Sequence, residues 1–372
     1  MTKFFDKFIS KDDVNTGRQL EFDFTKALCI FFMVLTHTYI ELCPISSYEP
    51  GTLSYNISTS LCNMFGAAAF MVCMGIGFCY SRNKDNPNYF ISRGIKIFIL
   101  SYVLNFLRSL TITFFVWPKI NGSFISPSLF IDLFNVDIMQ FAGVAMITFG
   151  LLLKFKLKPV SIFIVGLILS LISSVFPYFS SGNGLVDLLL GVFIPNKYLS
   201  GEEVFSCFPL ISYFIFPAFG YLYGIVDRKI KDKRKYYLVI TPICGIIGFG
   251  HAYLANKYNW YCLTDLGYYH PLVYDCLINI CSVLFLFGVL YYISTITPKI
   301  INKFIIYTSS NINTIYCIHW VILHNLFGIL CVLANYEFKE YNQTLVTLVG
   351  ILIYVASVVI SKIYIKIKKR NA

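Results

Sequence analysis

Apolar stretches long enough to cross a lipid bilayer recur along the chain, and they constrain its fold more than any other feature. A spanning helix needs about 20 apolar residues. Windows of that kind lie near residues 20–42, 58–80, 90–116, 129–152, 159–178, 205–226, 236–255, 273–294, 303–331 and 342–362. Only 13% of the 372 residues are charged, about half the share in soluble domains. The sequence predicts an all-α fold, a polytopic membrane helical bundle of about ten transmembrane helices.

The distribution of Lys and Arg predicts how these helices are oriented. Ten spans put both termini on one side, and the loops on that side hold 24 of the 30 basic residues, against four in the opposite loops. Cytoplasmic loops are the basic ones, so we expect cytoplasmic N- and C-termini. The predicted parts are an N-terminal segment (1–19), a transmembrane domain (20–364) and a basic tail (365–372). The net charge of +11 then reflects orientation and contact with the lipid bilayer, and no nucleic-acid partner is expected.

Two shorter features complete the predicted topology. The first residues lack the apolar core and cleavage site of a signal peptide, so the first apolar run is expected to remain as a span. The stretch 184–195 is apolar, but it is too short to span and is interrupted by Asp187. It predicts a re-entrant or interfacial helix rather than an eleventh span.

Polar residues inside the predicted spans fall at a similar depth. At 1.5 Å per residue, His37 lies roughly 25 Å along the first span, in its outer half. The same reasoning gives a comparable depth to Arg108, Asp132, Asp137, Asp275 and His319. Ionisable groups within membranes are costly and usually functional, so we expect a polar cavity at this level. Packing hydrogen bonds remain an alternative, as do a structural Arg108–Asp137 ion pair and a core role for His319.

The first span carries polar groups at helical spacing. Lys26 and His37 are eleven residues apart, which places them on one face at a separation of ~16 Å. Asp23 can pair with Lys26 at i, i+3, and Glu41, at i+4 from His37, can accept a hydrogen bond from its ring. A neutral histidine held in one tautomer is a competent general base near pH 7. Acyl transfer from a thioester needs such a base and also positive or donor groups for the oxyanion. His37 suits the first need and Arg108 the second.

Other candidates are fewer. The sequence predicts an outer loop around His270, where this residue could contact an acceptor. His319 and His324 are five residues apart, about 140° around a helix, which argues against a joint metal site. The twelve cysteines show no spacing typical of zinc sites. No metal is therefore expected.

The stretch from Arg18 to His37, R-x4-D-x2-K-x10-H, resembles the first-helix signature of the acyltransferase-3 family of integral membrane acyltransferases. Relatives with a similar layout are the transmembrane acyltransferases that N-acetylate heparan glucosamine. The resemblance extends, as a pattern, through 65–82, 90–108, 135–147, 208–224 and 313–320.

This resemblance implies a function and a set of site residues. Acyl-CoA, often acetyl-CoA, would bind from the cytoplasm as co-substrate, and His37 would serve transfer to a hydroxyl or amine of an acceptor, commonly a saccharide or glycolipid outside. The family's Arg-x-x-Arg motif is replaced by Arg93-Gly-Ile-Lys96. Lysine binds phosphate as a point charge without a bidentate fork, and positive-inside anchoring is the alternative role for both residues. The candidate set is catalytic His37, Glu41, Arg108 and Asp137; coenzyme-binding Lys26, Arg82, Arg93 and Lys96; and substrate-binding His319, His270 and Asp275.

Two further classes of function stay open at this point. A multi-pass transporter or flippase would also carry polar groups near mid-membrane, although Gly/Pro-broken helices in matching halves, typical of transporters, are not found. A sensor or assembly subunit without chemistry is the third reading. We expect a multi-pass protein of the cell membrane, a bacterial inner or plasma membrane, and a homodimer is possible.

Overall fold

The computed structural model describes residues 8–43, 52, 64–121, 133–176, 179–195, 206–258, 269–337 and 340–370. Asp132 of the predicted polar layer lies outside them. Most of these residues lie in helices. They are α1 (Leu20–Leu42), α2 (Met64–Tyr80), α3 (Pro87–Arg108), a π-helix (Ile112–Val116), α4 (Trp117–Asn121), α5 (Ile138–Lys154), α6 (Pro159–Val175), α7 (Gly184–Leu190), α8 (Leu210–Tyr213), α9 (Ile215–Arg228), α10 (Lys233–Tyr258), α11 (Val273–Ile296), α12 (Lys299–Ser310), α13 (Ile312–Leu333) and α14 (Gln343–Arg370).

Every predicted span overlaps a helix. Within the described residues, six helical stretches are long and apolar enough to cross a membrane: α1, α3, α8 with α9, α11, α13 and α14. Three shorter apolar helices, α2, α5 and α6, correspond to further predicted spans, and the window 236–255 lies within α10. The predicted all-α membrane fold is confirmed. The count of ten and the side of the termini stay predictions.

Two predicted spans are interrupted, and side chains explain one of the breaks. The window 90–116 was predicted as one helix, but α3 ends at Arg108 and a π-helix follows. The amide of Asn325 bonds there, donating to Leu107 O (3.1 Å) and accepting from the backbone N–H (3.1 Å) and hydroxyl (2.6 Å) of Thr111. These bonds replace helical ones. The window 303–331 is divided at Asn311, whose φ of −117° and ψ of 21° separate α12 from α13.

The short apolar stretch after α6 forms α7, a helix of seven residues. That length is far below a membrane span, in agreement with the prediction that 184–195 is not an eleventh span. The Asp187 carboxylate accepts hydrogen bonds from Ser181 N (2.7 Å) and Ser180 Oγ (2.9 Å). These bonds tie the preceding loop to the helix.

The chain forms two compact units. Unit 1 comprises Met1–Thr25, Ala67–Ile99 and Val136–Pro298, and unit 2 comprises Lys26–Gly66, Leu100–Asn135 and Lys299–Ala372. In unit 1, glycines let helices approach closely, as small residues do in membrane proteins. A Cβ on Gly75 of α2 would lie 2.0 Å from Pro217 O of α9, and one on Gly220 of α9 would lie 2.1 Å from Val72 O.

A buried ionic cluster also joins elements of unit 1. The Lys233 ammonium contacts Glu21 Oε1 (2.5 Å), Asp227 Oδ2 (2.9 Å) and Gln19 Oε1 (2.8 Å). An ammonium has three N–H donors, and these three acceptors match them. Tyr80 donates to the same Asp227 oxygen (2.7 Å). Glu21 and Asp227 are 2% and 0% exposed, so this lysine compensates carboxylates that have lost contact with water.

The segment before α1 is held to the loop after α9. Ser10 N–H donates to Lys229 O (2.7 Å), and Lys231 N–H donates to Phe8 O (2.9 Å). The Asn15 side chain donates to the carbonyls of Asp227 (3.0 Å) and Ile230 (2.6 Å). The N-terminal segment is therefore an integral part of unit 1.

Unit 2 is built from the later part of α1, the π-helix, α13 and α14. Leu35, Tyr39 and Leu42 of α1 form a core cluster with Val346 of α14, and the Tyr39 hydroxyl lies 2.7 Å from that of Thr347. The π-helix packs against α13. Unit 2 thus brings parts of α1, α3 and α13 into one packed body, which contains the polar residues of the candidate site.

Candidate active site

The predicted base His37 contacts a second histidine. Its Nδ1 lies 3.1 Å from His319 Nε2, and the two rings are nearly parallel, with an interplanar angle of 10°. At this distance one ring nitrogen donates a proton and the other accepts it. His319 is 0% exposed. The contact therefore couples the two tautomers, because only one of these two nitrogens carries the shared proton.

Helix periodicity explains why α13 brings several site residues to one place. Its buried residues include Ile315, Tyr316, His319, Trp320 and Leu323, which follow one stripe of the helix. Trp320 stacks on His37 with ring centroids 4.1 Å apart. One apolar face of α13 thus places both the His319 imidazole and the Trp320 indole next to His37.

Arg108 contributes a positive charge at the end of α3. Its guanidinium carbon lies 4.7 Å from the centroid of the Trp320 ring, a favourable cation–π distance. Arg108 is 5% exposed, so its guanidinium is a buried group. The Asn325 bonds to Leu107 and Thr111 frame this residue on both sides. The helix break therefore helps to define where the guanidinium lies.

The predicted role of Glu41 needs correction. The sequence suggested that Glu41 orients His37, but Glu41 Oε1 lies 3.1 Å from Nε2 of His324. The partner of His37 Nδ1 is His319. Residues four apart on a helix can reach each other, yet here α13 supplies a partner to each. Glu41 and His324 form a second pair in unit 2, and Trp320 lies between the two pairs, with its ring centroid 5.5 Å from that of His324.

Three other predicted site residues lie in unit 1. Asp137 is the N-cap of α5, where its side chain accepts from Ile138 N (2.6 Å). Asp275 caps the start of α11 by accepting from Leu272 N (3.0 Å). His270 is 2% exposed, and its Nε2 contacts Ser206 O (3.1 Å). Each has a local structural role, and the burial of His270 does not suit the acceptor contact predicted for it.

The coenzyme candidates lie on three elements: Lys26 on α1, Arg82 in the turn after α2, and Arg93 and Lys96 on α3. Lys26 is partly buried on α1 and belongs to unit 2. Arg82, Arg93 and Lys96 are exposed in unit 1, and Arg93 donates to Tyr89 OH (2.6 Å). The pairing of Asp23 with Lys26 stays a prediction, and the structure shows Asp23 in contact with Arg18. This carboxylate accepts two bonds from the Arg18 guanidinium, at 2.5 and 3.0 Å, and a bidentate fork makes arginine the stronger partner.

Sequence reasoning missed Trp320 and the pairing of His324. A signal for Trp320 was present, because it follows His319 directly in the stretch CIHW. Neighbours on a helix are about 100° apart, so both can border one cavity. For His324 the only signal was its place four residues after Trp320, since its acidic partner comes from α1.

Comparison with known proteins gives one match to a protein family. A family model described as an acyltransferase domain matches residues 19–365. No curated protein and no solved structure matches the chain. The matched range contains every predicted site residue. Because the match covers nearly the whole chain and the apolar helices indicate a multi-pass membrane protein, the chain is a membrane acyltransferase that belongs to the acyltransferase-3 family.

Proposed function

We propose that this protein transfers an acetyl group from cytoplasmic acetyl-CoA to a hydroxyl or amine of an extracytoplasmic acceptor, a cell-surface glycan. The observation that carries the proposal is the contact of 3.1 Å between His37 Nδ1 and His319 Nε2, in a unit that also holds the Arg108 cation. A base held in one tautomer beside a positive charge suits acyl transfer.

In this proposal each nitrogen of the pair has its own role. With its proton on Nδ1, His37 donates to His319 Nε2 and keeps a lone pair on its own Nε2. That lone pair takes the proton of the acceptor hydroxyl as the acceptor oxygen bonds to the thioester carbonyl carbon. When the carbon–sulfur bond breaks, His37 returns the proton to the departing thiolate. No net proton is produced or consumed at the site.

In this proposal the acyl donor, acetyl-CoA, is bound through the negative charges of its phosphates. CoA carries several phosphate charges, and Arg82, Arg93 and Lys96 are exposed cations within one unit. Replacing Arg93 by Gln is expected to raise KM for acetyl-CoA and to leave kcat nearly unchanged, because a phosphate contact is made equally in ground and transition states.

The test is an assay of the purified protein with labelled acetyl-CoA, a panel of glycan acceptors, and release of free CoA as the readout. The wild type should release CoA in an acceptor-dependent way, and His37→Ala should abolish this release. His251→Ala, a histidine of α10 in unit 1 whose ring packs on Tyr274, is the matched control and should retain it. Acceptor binding without CoA release would favour the transporter reading and would refute the proposal.

A further inference from the structure

The indole N–H of Trp320 is a buried donor. Its Nε1 has no hydrogen-bond partner among the residues that the structure describes, and the residue is 8% exposed. Indole nitrogen can only donate, and a buried Trp N–H usually finds a partner. Leaving a buried donor unsatisfied is unfavourable. Such a donor can bind a ligand, and its neighbours decide whether it marks a site.

The neighbours of Trp320 indicate what that use is. Its ring stacks on the base His37 at 4.1 Å and lies under the Arg108 guanidinium at 4.7 Å. A cation near an aromatic face draws electron density from the ring, which makes the attached N–H a stronger donor. The indole therefore presents a polarised N–H beside the residue that activates the acceptor.

A second tryptophan shows that an unpartnered N–H alone does not mark a site. Trp117 Nε1 is also buried without a partner among the described residues. Its ring packs in an apolar cluster with Ile112, Val116 and Cys331. The contacts with a base and a cation distinguish Trp320 from it.

We propose that Trp320 Nε1–H donates a hydrogen bond to the carbonyl oxygen of the acyl thioester as that oxygen becomes negatively charged. As the acceptor oxygen bonds to the carbonyl carbon, the carbonyl π electrons move onto the carbonyl oxygen. The indole N–H stabilises that oxygen by donating a hydrogen bond to it. When the carbonyl reforms, the carbon–sulfur bond breaks and the thiolate takes the proton from His37. Trp320 is then a catalytic residue, and Arg108 acts through the indole as a positioning and polarising residue. The inference rests on the proposed acyl transfer.

The sharpest test removes the N–H and keeps the ring. Trp320→Phe keeps an aromatic ring, and 3-benzothienylalanine at position 320 replaces only the N–H by sulfur in an isosteric ring. Both variants should lower kcat and kcat/KM by the same factor, about 10²-fold, because an oxyanion contact is made only in the transition state. Trp117→Phe is the matched control and should leave both constants unchanged. Thermal unfolding midpoints in detergent show whether each variant is folded.

The outcomes separate this inference from the function beneath it. A wild type that releases CoA, with both position-320 variants impaired and Trp117→Phe intact, supports the donor role. A wild type that releases CoA together with a fully active benzothienyl variant overturns the donor role and leaves acyl transfer standing, even if Trp320→Phe fails to fold. A wild type that releases no CoA with any acceptor overturns both.

Discussion

Lys233→Met is expected to destabilise the protein more than a change at any neighbouring lysine. The ammonium satisfies three acceptors, two of them the carboxylates of Glu21 and Asp227, which are almost fully buried. Its loss leaves both carboxylates buried without a counter-charge. Removing one partner of a buried ion pair costs about 3–5 kcal/mol. At roughly 2 °C per kcal/mol, the unfolding midpoint should fall by about 6–10 °C.

The assay is thermal unfolding in detergent, with two comparisons. Lys235→Met is the matched control: this lysine is 74% exposed in its side chain and pairs with Asp232 at 3.2 Å, and exposed pairs contribute little. The triple change Lys233→Met, Glu21→Gln, Asp227→Asn should recover most of the loss, because no uncompensated charge remains. Equal midpoints for the two lysine variants, or a triple variant less stable than Lys233→Met alone, would refute the reasoning.

Three further predictions concern single residues. His319→Ala should lower the transfer rate by about 10²-fold and His324→Ala by much less, since His319 hydrogen-bonds to His37 and His324 pairs with Glu41; steady-state kinetics would show this, and equal losses would contradict it. Gly75→Ala should lower the unfolding midpoint, because the new Cβ would lie 2.0 Å from a backbone oxygen, whereas Gly77→Ala has nothing within 4 Å and should be tolerated; similar midpoints for both would argue against the close helix contact. Burial raises the pKa of Asp187, but hydrogen bonds from neighbouring serines outweigh burial and leave its pKa lowered. Its charged form therefore stabilises the fold above the unfolded pKa near 4, so the stability lost in Asp187→Asn should diminish as pH falls through the folded pKa; a loss that is the same at pH 6 and pH 3 would contradict this.

The sequence predicts how far along its helix each polar residue lies, but it does not predict the partners of that residue on other helices. A fixed rise per residue turned residue number into depth, and three residues placed by that argument, His37, Arg108 and His319, do lie in one unit. The same argument gave Asp137 and Asp275 a similar depth, but these residues cap helices in unit 1. Depth says nothing about which neighbour a side chain faces.

The missed features all depend on residues distant in the chain. Glu41 was assigned to His37 because the two share a helix, but its partner His324 comes from α13. The end of α3 at Arg108 depends on Asn325, which lies more than 200 residues later. Lys233 is one of the basic residues that the sequence places in the cytoplasmic loops as an orientation signal, yet its side chain is buried. A local sequence pattern shows which nearby side chains a residue can contact. The tertiary fold determines which side chains from distant parts of the sequence it contacts.

The ionic cluster around Lys233 has a consequence for the order of events during biosynthesis. Glu21 leaves the ribosome 212 residues before its lysine partner, and the partners of Asn15 follow at similar separations. At about 5–20 residues per second, that interval is roughly 10–40 s. Throughout it the first helix carries an acid without its counter-ion. The buried site that holds Glu21 in the folded protein can therefore be completed only after Lys233 has been synthesised.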